Sequence, residues 1–261
     1  VVISEGCTSV GTLAFAGSVE LTSISLPSTL ETIGENAFWS CRTLQSVTIP
    51  AGVEIGMQAF SLCEGLTSVT LSEGVKRIGE GAFGYCKALT EVTLPQSLTE
   101  LGSNAFAWCD SLRSVNIPPQ LTAIGENAFA FCTALERVTF SEGVQRIGEA
   151  AFSGCYALTE VTLPESVTEI EKAAFGVCRG LTTVAMGQNV QRIGDYAFSG
   201  CVALTDITLS PELRELGDGV FENCERLRRV VLPQSITEIR TGTFSGCTVL
   251  QTVTLPSGLT S

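Results

Sequence analysis

The residues of this chain best suited to chemistry are its eleven cysteines. Ten of them (Cys41, Cys63, Cys86, Cys109, Cys132, Cys155, Cys178, Cys201, Cys224 and Cys247) recur every 23 residues, with one interval of 22. Thiols at such spacing could be metal ligands, disulfide partners or nucleophiles. A zinc site needs four ligands converging on one point, and one thiol per period gives a line instead. A catalytic thiol needs a nearby base, and the chain contains no histidine. Equivalent positions on successive periods have parallel Cβ vectors, which is poor disulfide geometry. The ten are therefore expected to be small buried thiols in a core, free of disulfides. Cys7 falls in a different column.

Carboxylates recur as well, at Glu35, Glu80, Glu126, Glu149, Asp195 and Asp218. A column of acidic oxygens could suggest calcium, but Lys76-Arg77 and Gln145-Arg146 place cations nearby. The position also suits helix starts, so solvated caps are expected. There is no glycine-rich phosphate loop, no metal-ligand spacing and no convergent acid–base set. No catalytic residue, metal or cofactor is expected, and the chain reads as something other than an enzyme.

A sharper pattern lies among the apolar side chains. Four successive repeats carry Leu62, Tyr85, Trp108 and Phe131 at a position where most others have Gly or a small or polar residue. Trp39, one position earlier on the preceding repeat, extends the set. Stacked about 5 Å apart, these side chains make an apolar strip that is the candidate ligand-binding surface if exposed, since Trp and Tyr lead such sites. They could equally fold over the edge and widen the core. Sugar rings stack on aromatic faces, which keeps a glycan ligand open beside a protein one.

The elements that carry these residues follow from the repeat itself. Eleven phenylalanines, from Phe15 to Phe244, stand in one register, with a Leu six residues after each and a Val or Ile nine residues after. Val92-Thr93-Leu94 and Val161-Thr162-Leu163 alternate apolar and polar, as a strand with one buried face does. The following Pro, as at Pro95 and Pro164, cannot donate to a ladder and stops the strand. Ala128-Phe129…Cys132…Leu135 has the spacing of about two helical turns, with Glu126 or Asn127 as a cap. The one short interval arises at Val53-Glu54-Ile55-Gly56, on the connecting side of the coil. Outward strand positions form a Thr column (Thr48, Thr70, Thr93, Thr139, Thr162, Thr208 and Thr254) beside mixed charges at Glu91, Arg137, Glu160, Asp206 and Arg229. The Thr column reads as structural, and the mixed face favours protein contacts. A basic cluster at Arg214, Arg226, Arg228, Arg229 and Arg240 is read as ordinary surface charge.

The unit A-F-x-x-C-x-x-L-x-x-V-x-L-P, kept with its Cys in ten of eleven copies, resembles the BspA-like, or Treponema pallidum-type, leucine-rich repeats. The first copy departs with Ser18, and later ones replace the Pro by Ser72, Ser141, Gly187 or Ser210. The fold class this implies is an α/β leucine-rich-repeat solenoid. It would have about eleven 23-residue coils, with a parallel β-sheet on one face and short helical turns and loops on the other. Such repeats use an inward Cys or Asn column to pack and to hydrogen-bond loop backbone. Residues 1–261 are expected to form one solenoid cut mid-repeat at both ends. Neither a leader nor a polar end cap is visible, and Thr260-Ser261 stop before the next Ile. The resemblance also implies a secreted or cell-surface adhesion module that binds host matrix or cell-surface proteins. A glycan-binding role and a passive spacer are the alternatives.

Charge narrows the partners further. With 15 Lys plus Arg against 27 Asp plus Glu, the formal net charge is −12. Such a surface repels nucleic acid and anionic lipid. No apolar run is long enough for a membrane span, so no direct membrane insertion is expected.

Overall fold

The computed structural model describes residues 1–259 and is a stack of parallel coils, most of them contributing one longer and one short strand. Long strands such as Ser46–Ile49, Ser68–Leu71 and Glu91–Thr93 pair in parallel with one another. Short strands such as Arg77–Ile78 and Glu100–Leu101 form a second parallel ladder. Register is exact from coil to coil, so Val47 meets Val69 and Val69 meets Val92.

 The alternating burial of these strands places Val and Leu inward and Ser, Thr or Glu outward. Where Pro follows, the strand ends, as Ser46–Ile49 does before Pro50.

One hydrophobic cluster runs along the stack, from Val10 to Ile236. Its axis is a column of phenylalanine rings. Phe15, Phe38, Phe60 and Phe83 stack at 4.9–5.3 Å between centroids, nearly parallel. The column continues to Phe221 and Phe244 at 5.8 Å. A single 23-residue unit has nothing to cover its Phe, Leu and Val, so each coil is stabilised by the coils on either side. The missing residue before Ile55 is absorbed without loss of register: Glu54 pairs with Thr32, and Ile55 with both Ile33 and Ile78.

The expected helical turns are not formed. Among the described residues there is no helix, and the segment around each Phe is a run of turns. The reason lies in where the amide hydrogens go. In the coil of Phe106, the N–H groups of Ala105, Ala107 and Cys109 close local turns onto Gly102, Asn104 and Phe106. The intervening N–H groups of Asn104, Phe106 and Trp108 instead donate to Glu126, Ala128 and Ala130 of the next coil, each at 2.8 Å. A helix would direct all of its amides along its own axis. Here every second amide points along the stack, which requires left-handed residues at Asn104 (φ 57°) and Trp108 (φ 62°). Consequently Glu126 and Asn127 cap no helix, and the carboxylate column does not mark helix starts. Some of those carboxylates instead serve the neighbouring coil, as where Asp195 Oδ1 accepts the Asp218 N–H at 2.8 Å.

Candidate functional site

The cysteine column lies beside the phenylalanine axis. Cys41 to Cys224 are buried, Cys7 and Cys247 are partly so, and all carry free thiols. Each thiol of the column donates to the carbonyl of the preceding coil's Phe: Cys109 to Phe83 at 3.3 Å, Cys132 to Phe106 at 3.2 Å, Cys178 to Phe152 at 3.1 Å. Burial pushes the Cys178 thiol up from 9.0 to about 12, and moves Cys109, Cys155 and Cys201 in the same direction. A thiol held protonated is a poor nucleophile and a poor metal ligand.

The aromatic residues sit at the outer edge of the same turns. Tyr85 and Trp108 stack at 5.9 Å with 4° between their planes, and Trp108 and Phe131 at 4.2 Å with 11°. Tyr85 is 42% exposed and Trp108 37%, while Phe131 is half-buried. Leu62 is half-buried one coil earlier. Trp39 is exposed, but it occupies the neighbouring column; Ser40, nearly buried, takes the place corresponding to Trp108. The structure therefore brings Tyr85, Trp108 and Phe131 into one wall and leaves Trp39 outside it.

These side chains stand on costly backbone. Leu62, Tyr85, Trp108 and Phe131 have φ between 57° and 62°, as does Val177 in the same column. Gly17, Gly154, Gly200 and Gly246 occupy that column in four other coils, and Ser40 and Asn223 in two more, all at positive φ. A non-glycine residue in this region costs roughly 1–2 kcal/mol. Bulky residues are rare there. The recurring glycines were the sequence signal for this conformation.

A shallow trough runs beside the wall. It is lined by the small column Ser61, Gly84 and Ala107 and by the column Gln58, Gly81 and Asn104. Together with Glu80, Tyr85 and Trp108 these residues line a hollow of about 240 Å³. It opens where Gly81 lacks the side chain that Gln58 and Asn104 carry. Glu80 also lines an adjacent hollow of about 340 Å³ with Glu54, Met57 and Arg77. Met57 and Leu13 are exposed apolar residues that periodicity alone did not single out. Among the described residues no group of His, Cys, Asp or Glu is placed to hold a metal ion.

The other surfaces are more ordinary. The outward strand residues Thr48, Thr70 and Thr93 are exposed in register. The basic cluster is partly neutralised, since Arg240 pairs with Glu238 at 2.8 Å and Arg214 with Glu212 at 3.9 Å. No helix of the described residues is long and apolar enough to cross a membrane.

Comparison with known protein families gives a match to the BspA type leucine rich repeat region, in six copies over residues 1–75, 53–182 and 168–261. The chain belongs to that family. BspA-type repeats are typical of surface proteins and of protein interaction, and their solenoid is a repeat scaffold. A leucine-rich repeat protein from Bacteroides ovatus is 28% identical, with a TM-score of 0.62, covering 97% of this chain and 77% of its own. A leucine rich cell surface protein from Faecalibacterium prausnitzii is also 28% identical, with a TM-score of 0.47, covering 97% of this chain and 85% of its own. The T. pallidum leucine rich repeat protein is 28% identical, with a TM-score of 0.49, covering 79% and 78%. No curated protein matched the chain.

Proposed function

We propose that this BspA-type chain is a non-enzymatic interaction and adhesion module of a secreted or cell-surface protein, acting as one solenoid. Its partner is a host matrix or cell-surface protein, and its contact surface is the wall of Tyr85, Trp108 and Phe131. The observation that carries this reading is the combination of exposure and backbone cost. Three stacked aromatic rings occupy left-handed positions that four other coils give to glycine and two to Ser40 and Asn223. Core packing does not account for them, because the Phe column already fills the axis. Exposed Trp and Tyr are the residues on which protein interfaces concentrate their energy. The cysteine column has a structural role in this reading, holding adjacent coils together through its thiol hydrogen bonds.

Glycan binding is the second reading, favoured by Gln58 and Asn104, which line the same hollow as Tyr85 and Trp108. Binding of the intact chain to immobilised host matrix proteins and to a glycan array separates the two. Saturable binding to a protein surface that survives removal of its glycans is the expected result. Binding to sugars alone would replace it with the glycan reading, and no binding to either would leave a passive spacer.

A further inference from the structure

Beside the aromatic wall, Glu80 lines the same hollow as Tyr85 and Trp108, Glu54 lines the adjacent hollow, and Glu31 precedes the strand that pairs with Glu54. Glu31, Glu54 and Glu80 are exposed and take part in no ion pair or side-chain hydrogen bond among the described residues. On later coils the same edge is paired: Lys172 with Glu149 at 3.0 Å, Arg146 with Glu171 at 3.4 Å, and Arg192 with Glu169 and Glu215 at 2.7 and 3.2 Å. The imbalance is visible in the sequence. Residues 1–80 hold eight Glu (5, 20, 31, 35, 54, 64, 73 and 80) against Arg42, Lys76 and Arg77, so 3 − 8 = −5 of the formal −12.

We infer that the wall and its hollow dock a basic polypeptide segment, one apolar side chain flanked by Lys or Arg. The inference rests on the proposed interaction role and names the chemistry of the partner. The apolar side chain enters the hollow opened by Gly81, against Tyr85 and Trp108. Glu80 lines both that hollow and the neighbouring one, where it stands with Glu54 and the exposed Met57. A cation beside the anchor therefore meets Glu80 first and Glu54 next. Arg77 lies in the second hollow but is engaged by Glu100 at 3.2 Å, and Lys76 is exposed beside it. Unpaired carboxylates at the rim of a hollow walled by Tyr85 and Trp108 steer and select an oppositely charged partner. The same charge works against sulfated or sialylated sugars.

The test uses the whole chain and an immobilised peptide of alternating lysine and leucine, with lysine–serine and glutamate–leucine peptides as comparisons. The lysine–leucine peptide is expected to bind best, and to weaken as salt rises. Gly81→Asn fills the hollow with a residue that Asn36, Asn104 and Asn127 show to be compatible with this left-handed position. It should weaken binding about tenfold while leaving the melting curve unchanged. E31Q/E54Q/E80Q should weaken it to a similar degree and flatten the salt dependence. A strand-face variant with the same charge change, E91Q/E160Q/D206N, should stay within about twofold. Equal losses from the two charge variants would reduce the effect to bulk charge and overturn the inference. So would undiminished binding by Gly81→Asn, or no preference for the lysine–leucine peptide. Matrix-protein binding that is insensitive to salt and to E31Q/E54Q/E80Q would leave the adhesion role standing and remove only the basic partner.

Discussion

The ring of Phe131 lies over Gly154 of the next coil so closely that a Cβ on that glycine would come within 2.6 Å of the ring. The aromatic wall thus ends against bare backbone: Tyr85, Trp108 and Phe131 stack in order, and Gly154 leaves room for the last ring. Gly154→Ala should therefore displace Phe131 as well as strain a backbone at φ 73°. The expected cost is about 1–2 kcal/mol, read as a lower urea midpoint, with a change in Trp108 fluorescence as its neighbour moves. An unchanged midpoint and spectrum would mean the ring is not held there.

The two aromatic columns should respond differently to truncation. Phe106 is fully buried in the stacked axis, and Phe106→Ala is expected to cost about 3–5 kcal/mol. Trp108→Gly loses a stacked contact worth about 0.5–1.5 kcal/mol, but it also releases a left-handed residue at a comparable cost. Its urea midpoint should lie close to that of the parent. A large loss from Trp108→Gly would assign that ring to the core edge.

The thiol column should matter in proportion to burial. Cys132→Ala removes the donor to the Phe106 carbonyl and leaves a small void. A loss of about 1–2 kcal/mol is expected in urea denaturation. Cys247→Ala, at a partly buried position, should cost less. Equal and negligible costs would mean these hydrogen bonds contribute little.

Alkaline pH should loosen the stack through the same column. The Cys178 thiol is raised from 9.0 to about 12 by burial, so the folded chain holds its proton more tightly than the unfolded chain does. Its contribution to stability is complete below pH 9 and is lost progressively as pH rises toward 12. Melting temperature followed across that range should fall, and the fall should be smaller in Cys178→Ala. A flat profile would contradict the burial of the thiol.

Much of this was legible in the residues, and the failures have physical causes. The Phe, Leu and Val register implied stacked coils because a period-23 core cannot be buried within one unit. The inward place of Cys132 followed from its spacing after Phe129. The spacing around Phe129 suggests helix, yet the segment is a run of turns, because apolar residues at i, i+4 and i+7 suit stacked turns as well. Nothing in that spacing tells whether the Asn127 amide is spent within its own coil or on Glu149 of the next, where it goes at 2.8 Å. For a related reason, spacing does not decide the exposure of Tyr85 and Trp108. It depends on the left-handed backbone, which only the glycines at Gly17, Gly154, Gly200 and Gly246 signalled. Met57, Glu54 and Gly81 joined the site through proximity across coils, which a reading along one repeat does not reveal.

The central claim is that the wall of Tyr85, Trp108 and Phe131 is the contact surface of an otherwise structural stack. The measurement that tests it most directly compares the parent chain with Y85G/W108G/F131G for binding to immobilised host matrix proteins, each variant first shown to melt as the parent does. The account predicts that the variant loses at least about tenfold in affinity while its melting curve is kept. Undiminished binding by a variant that melts like the parent would contradict it and place the contact on another face.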